Sequence, residues 1–494
     1  MFTLKYFEGG NIMSVVQSSR YTEHINERLA QYKHLQSLGL IVRSGDFFPS
    51  VHYPPITMYA PLTPEELLAT YTPPADGKFD IYAHVPFCRQ RCLFCHYPVQ
   101  LGERSAEKDQ YLSALAQEMD IYMERLGYSR LKARSILVGG GTPTYLSLDQ
   151  LKRFLQILDS RLDLSECTQY NYDVDPVTLI GKEGNERLQM LRDYGVNRLT
   201  IGVQSLNPAT LKLMNRHHGP EQALEAIHDA LKFGFQVNIE FIFGYLGQTL
   251  EDWIAVLEQA VGLGAHEIQL YRLKFEAYGD FQGPIKYQRE RHPELVPTVE
   301  ETLAMKQAAI NVLNAHGYRE NLRRVFSKKP EHYSHYADNQ CCGLLDQLGF
   351  GLTAFSSLRD RFGLNTQNFD EYYRMIADRR LPVNRGLVRN LEAQIRWAIV
   401  LPLKNRRVWK RYFQQVTGCS LDEVFQPKIA ALKKYGLLME DEEKIELTTL
   451  GAFFADEVAH QFHHPAYIPF PATEYADGEL NPYRHPEVWS GSHG

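Results

Sequence analysis

Cys88, Cys92 and Cys95 stand at CxxxCxxC spacing in the run Ile81-Tyr-Ala-His-Val-Pro-Phe-Cys-Arg-Gln-Arg-Cys-Leu-Phe-Cys-His-Tyr97. Cysteine thiolates hold iron–sulfur clusters. Three of them at this spacing suit a four-iron cluster in which one iron keeps no protein ligand. That open iron can chelate an amino and a carboxylate group and pass on one electron. A structural zinc site prefers a closed tetrahedron and usually two CxxC pairs, and a disulfide framework prefers an even, cysteine-dense short chain. Seven cysteines in 494 residues fit neither and point to a reducing compartment. Scattered buried thiols are the plainer alternative.

The run resembles the radical-SAM motif, in which the open iron binds S-adenosylmethionine (SAM). Phe94, between the second and third cysteines, is placed to shield a cluster or stack on an adenine, or else is a core aromatic. Gly139, Gly140 and Gly141 let the backbone pass close to a ligand, and Thr142 adds a hydroxyl. Asp173 and Asp175 offer acceptors for an ammonium or ribose hydroxyls, with a helix N-cap as the structural alternative. Arg216 has the fork to pair a carboxylate, although a bare Arg is more often a surface residue.

Elements must bring these residues together. Strands are expected at 79–85, 134–139, 169–175, 197–204, 236–244 and 267–275, each short and rich in Ile, Val, Leu, Tyr or Phe. Between them, segments such as Ser105–Leu126 and 220–233 repeat apolar residues at the helical period. Six βα units favour a parallel sheet with right-handed crossovers, closed as a partial barrel or left as a curved open sheet. Its chemistry belongs at the carboxyl ends of the strands. The cysteine run, Gly139-Gly-Gly-Thr-Pro143, Asp173-Val-Asp-Pro176 and Gly202-Val-Gln-Ser205 end strands one to four and so converge on one rim.

The flanks divide the chain further. Residues 1–78 hold a helix at 21–37 and a proline-rich arm; 79–290 form the barrel. Residues 291–387 extend it with a helix at 297–316 and a loop at 348–356, and 388–494 form a mostly helical cap and tail. Residues 429–451 resemble a winged helix, but the acidic tip Glu440-Asp-Glu-Glu443 argues for a lid or scaffold and against DNA. The length allows roughly three domains. A net charge of −6 gives no reason to expect nucleic acid or an anionic membrane, and no apolar run approaches a membrane span. The chain reads as soluble and cytoplasmic, with Met13 an alternative start to Met1.

Tyr82-Ala-His-Val-Pro-Phe-Cys88, Gly139-Gly-Gly-Thr-Pro-Thr-Tyr-Leu146, Asp173-Val-Asp-Pro176, Asn197-Arg-Leu-Thr-Ile-Gly-Val-Gln204 and Asn238-Ile-Glu-Phe-Ile-Phe-Gly-Tyr-Leu-Gly-Gln-Thr249 together resemble the oxygen-independent coproporphyrinogen III oxidase family. The resemblance implies an α/β fold: a radical-SAM partial (β/α)6 barrel with an N-terminal arm and a winged-helix-like cap. It implies a [4Fe-4S] cluster on Cys88, Cys92 and Cys95, two SAM molecules in one cavity, and a one-electron donor such as flavodoxin or ferredoxin. By motif position, Tyr82, Gly140, Asp173 and Arg216 contact the first SAM or its neighbour. Phe94, Gly141, Thr142, Gln204, Glu240, Lys274 and Phe355 take the remaining SAM-contact positions.

Departures limit what carries over. Asp173 replaces the usual Glu, Glu240 replaces the usual Asp, and Gly244-Tyr-Leu-Gly lacks the family's proline. After the third cysteine this chain reads His96-Tyr97, where authentic oxidases resemble Gly-Cys-Asn. Three activities follow from the resemblance. In the first, SAM is cleaved to methionine and a 5′-deoxyadenosyl radical that decarboxylates propionates of a tetrapyrrole. In the second, a second SAM donates a methyl or methylene to an sp2 carbon. In the third, the chain is a non-catalytic haem-binding chaperone, with His84, His96, His217, His218, His463 or His464 as candidate ligands. A propionate-bearing substrate needs cations, for which Arg319, Arg323, Arg324, Lys328 and Lys329 are candidates, against the alternative of a solvated charge run.

Overall fold

The computed structural model describes residues 21–49, 51–102, 104–277 and 281–484; the choice between Met1 and Met13 lies outside them. Six strands pair in parallel in chain order: β1 (Lys78–Val85), β2 (Leu131–Gly140), β3 (Gln169–Val174), β4 (Arg198–Gln204), β5 (Gln236–Phe243) and β6 (Glu267–Arg272). The helices Ser105–Leu126, Leu148–Arg161, Gly181–Asp193, Pro220–Lys232 and Leu250–Val261 connect them. All six expected strands form, with shifted ends: β2 starts at Leu131 rather than 134, and β6 stops at Arg272 rather than 275.

The barrel stays open. β6 pairs antiparallel with the second strand of a hairpin, β7 (Arg319–Leu322) and β8 (Val325–Ser327). On the other edge β1 pairs in parallel with β9 (Gln347–Phe350), and β10 (Phe355–Leu358), β11 (Arg361–Asn365) and β12 (Val383–Val388) continue the sheet antiparallel.

Strand alternation sorts the side chains, since successive residues point to opposite faces. One face carries Ile81, Ala83, Val85, Ile136, Val138, Leu199, Ile201, Val237 and Ile239, all buried in the main core under the helices. Each Val, Leu or Ile among them contributes about 1.5–3 kcal/mol when fully buried. The other face is polar and lines the inside: Asp80, Tyr82 and His84 on β1, Asn171 and Asp173 on β3, Arg198 and Thr200 on β4, Glu240 on β5, Gln269 and Tyr271 on β6. At the amino end this lining closes on itself. Arg198 Nη1 donates to Asn171 Oδ1 at 2.6 Å and to Thr200 Oγ1 at 3.1 Å, while Nη2 pairs with buried Glu267.

The C-terminal cap has its own core. Helices Leu391–Asn405, Lys410–Thr417 and Gln426–Lys434 pack with a small antiparallel sheet of β13 (Arg407–Trp409), β14 (Leu438–Glu440) and β15 (Lys444–Leu447), in the winged-helix-like manner expected. Tyr32 and Leu35 of the first helix, Thr22–Ser37, are buried in this same core with Ile395, Phe413 and Ile429. The cap reaches the barrel where Arg323 pairs with Asp456 and the Arg323 N–H donates to Asn405 O at 3.2 Å. Among the described residues no helix is long and apolar enough to cross a membrane.

Candidate active site

The loop after β1 is fastened on both sides. Phe87–Cys88 pairs in parallel with Gln100–Leu101, and the Leu93 N–H donates to Met214 O at 3.1 Å. Cys88, Cys92 and Cys95 on this loop are free thiols and half-buried. Thr142 Oγ1 lies 3.5 Å from Cys88 Sγ, and Arg216 Nη1 donates to Cys92 Sγ at 3.2 Å. Burial pushes the Cys88 thiol up to about 12 and raises Cys95 as well, an effect that a coordinating metal, which deprotonates its thiol ligands, would reverse. Among the described residues no three His, Cys, Asp or Glu side chains are placed to hold a single metal ion. Three free thiols on one loop with a guanidinium against one sulfur fit a multi-iron cluster, which spreads its thiolates over separate irons.

The glycine turn is seated directly beneath. The Gly141 N–H donates to Val85 O and the Thr142 N–H to Phe87 O, both at 2.8 Å. A Cβ on Gly141 would stand 2.7 Å from Phe87 O, and one on Gly140, whose φ is +111°, would stand 2.5 Å from the His84 ring. These glycines are therefore required by the packing of the turn under the cysteine loop, and Thr142 is the member that presents a side chain to a sulfur.

Arg216 finds its carboxylate within the chain. Its Nη2 donates to Asp175 Oδ2 at 2.8 Å and to Gly202 O at 2.7 Å, so the carboxylate that this fork pairs in the structure is Asp175. Asp175 also accepts from His217 Nε2 at 3.1 Å and caps the turn at Pro176 through the Val177 N–H. Burial works to raise its carboxyl, but Arg216 and His217 hold it well below the ordinary carboxylate range.

Asp173 is different. Burial and the nearby Glu240 carboxylate raise it to about 7, and burial raises Glu240 too. Asn171 Nδ2 donates to Asp173 Oδ1 at 3.0 Å, and Tyr271 OH donates to Glu240 Oε1 at 3.0 Å. The guanidinium of Arg324 lies 4.6 Å from the Tyr271 ring centre. Two carboxyls that cannot both ionise cheaply thus face the lumen and suit a cationic ligand. Lys274 follows β6; burial, then Arg324 and Arg323, push its ammonium well below the ordinary value.

Aromatic side chains bound the same space. Tyr82 OH lies 2.9 Å from His84 Nδ1, and the Tyr82 ring stacks near Phe355 at 6.4 Å. Phe355 meets His52 of the arm edge-on at 4.6 Å. Phe94 packs against the cluster of Met214, Ile242, Tyr245 and Leu273. Gln204 is buried with a left-handed φ of 68°, at the bulge that ends β4.

The candidate haem ligands are mostly committed to the protein. His96 accepts from the Gly283 N–H at Nδ1 (3.0 Å) and donates from Nε2 to Lys274 O at 3.1 Å. His84 is buried between Tyr82 and Thr353, and His218 Nε2 accepts from Arg216. His463 Nδ1 lies 3.1 Å from Tyr467 O, and His464 Nδ1 accepts from the Ala466 N–H. His217 keeps a buried Nδ1 with no partner. The basic run also divides. Arg319 bonds backbone carbonyls, Lys328 lies over Tyr318, Lys329 is exposed and Arg323 pairs with Asp456, which leaves Arg324 beside the lumen. Tyr271, Asn171 and Thr200 were not among the expected site residues, yet the alternation in Gln169-Tyr-Asn-Tyr-Asp173 and Glu267-Ile-Gln-Leu-Tyr271 carries the signal.

An open α/β barrel with three free thiols at the end of its first strand and acidic side chains on its polar inner face has residues that suit an iron–sulfur cluster and a cationic small molecule. Residues 82–260 match the model of the Radical SAM superfamily; the chain carries a radical-SAM domain, which implies a [4Fe-4S] cluster and SAM. It is 28% identical over 387 residues to "Heme chaperone HemW" of Bacillus subtilis (strain 168), covering 77% of this chain and 98% of that one. It is 25% identical over 391 residues to "Oxygen-independent coproporphyrinogen III oxidase" of Escherichia coli (strain K12), covering 75% and 82%. The solved structure of coproporphyrinogen III oxidase (HemN) from Escherichia coli superposes with a TM-score of 0.71 at 23% identity, over 88% of this chain and 98% of that chain. The partial-barrel fold with its cap is thus shared.

Proposed function

We propose that this chain is a radical-SAM enzyme of the oxygen-independent coproporphyrinogen III oxidase type, acting on carboxylate-bearing side chains of a tetrapyrrole. One observation carries the reading: on the polar inner face of the strands Glu240, coupled to Asp173, lies within electrostatic reach of Arg324, whose guanidinium is 4.6 Å from the Tyr271 ring centre. Cys88, Cys92 and Cys95 would hold the cluster, which when bound supplies one electron to the sulfonium of SAM. Arg216 steadies Cys92 and shields the charge on that thiolate. Asp173 and Glu240 attract the ammonium and sulfonium of SAM, and Thr142 orients a polar group beside Cys88. Tyr82 and Phe355 form an apolar wall for an adenine or a pyrrole ring, with room for a second SAM as the further proposal. Arg324 and Lys274 pair with a substrate carboxylate, and a one-electron carrier protein provides the reducing equivalent.

The relative named a heme chaperone, matched over 98% of its length, supports a second reading, stoichiometric haem binding without catalysis. Anaerobic incubation of the cluster-loaded protein with SAM, reductant and coproporphyrinogen III, followed by mass spectrometry, separates the readings. Loss of carboxyl groups with formation of 5′-deoxyadenosine is expected. A gain of one CH2 unit with S-adenosylhomocysteine indicates transfer, and haem absorbance without SAM cleavage indicates the chaperone.

A further inference from the structure

Glu240 is held from the neighbouring strand. β5 and β6 run parallel with Gln269 opposite Glu240, and alternation sends Asn238, Glu240, Gln269 and Tyr271 to the same inner face. There they are hydrogen-bonded in order. Asn238 Nδ2 donates to Gln269 Oε1 at 3.3 Å, Gln269 Nε2 donates to Tyr271 OH at 2.6 Å, and Tyr271 OH donates to Glu240 Oε1 at 3.0 Å. The order sets the direction of the last bond. A phenol has one proton, and an oxygen that already accepts from the Gln269 amide turns that proton onto the carboxyl. The Tyr271 ring is fixed from two further sides. It packs against the apolar cluster that includes Ile242 and Leu273, and the Arg324 guanidinium lies 4.6 Å from its centre, where a cation is attracted to the ring face. Phenylalanine would keep both ring contacts and lose only the bond to Glu240.

We propose that Tyr271, oriented by Gln269, is a positioning residue that holds the Glu240 carboxyl in place on the inner face as the acceptor for a cationic ligand. That the ligand is SAM rests on the radical-SAM reading above; the bond between Tyr271 and Glu240 does not. A hydrogen bond donated to a carboxylate favours its charged form, and such charge-assisted bonds are roughly twice as strong as neutral ones. Tyr271 thus works against the burial that raises the Glu240 carboxyl. Other groups face Glu240 as well: Asp173 from β3, Arg198 from β4, Arg216 beyond β4, Glu267 from β6, Arg324 from the β7–β8 hairpin and Tyr97 from the cysteine loop. All of them stay when one phenolic oxygen is removed, so the effect of Tyr271→Phe belongs to the bond itself.

The test uses cluster-loaded full-length protein without reductant, so that nothing turns over. Infrared difference spectra identify the protonated Glu240 carboxyl as the C=O band that Glu240→Gln removes, and its intensity against pH gives a midpoint. Asp173→Asn serves as the background, so that its carboxyl does not titrate alongside. Tyr271→Phe is expected to raise the midpoint, with the acid dissociation constant falling roughly tenfold, and to weaken SAM binding in calorimetry at neutral pH. Gln269→Leu, which frees the phenolic proton to turn, should move the midpoint the same way by less. In Glu240→Gln, adding Tyr271→Phe should change SAM affinity by less than about twofold, whereas a tyrosine that serves only packing would weaken binding equally in both backgrounds. A midpoint that stays put overturns the assignment, and so does one that falls, because Glu240 is then the donor to the phenol. If the midpoint rises and SAM affinity does not follow it, Tyr271 still positions Glu240, and the proposed function loses Glu240 as a contact for SAM.

Discussion

Arg216 donates to Cys92 Sγ at 3.2 Å with one terminal nitrogen and to Asp175 Oδ2 at 2.8 Å with the other. One guanidinium therefore couples a candidate cluster ligand to a buried carboxylate at the end of the third strand. Removing it leaves Asp175 with His217 and the Val177 N–H but without its guanidinium, and losing one partner of a buried ion pair costs up to about 3–5 kcal/mol. Arg216→Met is expected to lower the melting temperature and to release iron on gel filtration. Arg216→Lys keeps the charge but cannot span all four acceptors, Cys92 Sγ, Asp175 Oδ2, Gly202 O and His218 Nε2, so it should fall between. Full iron retention and an unchanged melting temperature in Arg216→Met would show the contact to be incidental.

Cys92→Ala tests the cluster itself. The side chain is half-buried and its substitution leaves the barrel core untouched. The variant is expected to fold with wild-type far-ultraviolet circular dichroism, to lack the brown chromophore, and to cleave no SAM. Iron bound at the wild-type ratio would exclude Cys92 as a ligand.

Under the proposed function Asp173 is expected to link ligand binding to pH. Its folded pKa of about 7, raised by burial and Glu240, lies above the ordinary carboxylate value of about 3.9. The sign follows from proton binding: the folded protein holds this proton more tightly than the unfolded chain. Asp173 therefore costs no stability below about pH 4 and progressively more as pH rises towards 7, by at most about 4 kcal/mol. Asp173→Asn should remove that slope in denaturant titrations. Under the proposed function, affinity for cationic SAM should run the opposite way in the wild type, tightening as pH rises through 7, and should lose much of that dependence in Asp173→Asn, the remainder belonging to Glu240, which burial also raises. A wild-type slope that survives the substitution would place the proton elsewhere.

The six strands and the rim were legible because both rest on short-range patterns: β-rich runs between turn residues, and motifs at their carboxyl ends. The polar lining was legible in principle too, since Asn171 and Asp173 alternate with Tyr170 and Tyr172. What local pattern could not reveal was long-range pairing. β1 meets β9 through Asp80 opposite Gln347, and nothing in either segment names the other. The fork of Arg216 was readable, but its partner Asp175 lies 41 residues earlier, and nothing local to either residue names the other. The first helix likewise reads as part of a separate arm, until Tyr32 and Leu35 are found in the core of the cap.

His96 is the residue at which this chain leaves the oxidase pattern, and its ring ties the cysteine loop to the segment after β6. The Gly283 N–H donates to Nδ1 at 3.0 Å, which fixes the proton on Nε2 for donation to Lys274 O at 3.1 Å. Gly283 is packed so closely that an added Cβ would lie 2.3 Å from Cys95 O. The imidazole thus holds Lys274 and Gly283 against the third cysteine. Each hydrogen bond is worth about 0.5–1.5 kcal/mol. His96→Ala is expected to speed hydrogen exchange at residues 281–284 by roughly tenfold, the equivalent of about 1.4 kcal/mol, and to leave exchange in β1 and β2 unchanged. His96→Asn keeps an acceptor near the Nδ1 position and should restore protection of the Gly283 amide while leaving Lys274 O unpaired. If exchange at 281–284 is the same in all three proteins, the segment is held by other contacts, such as Phe281 against Arg91, and His96 is free for a role in binding.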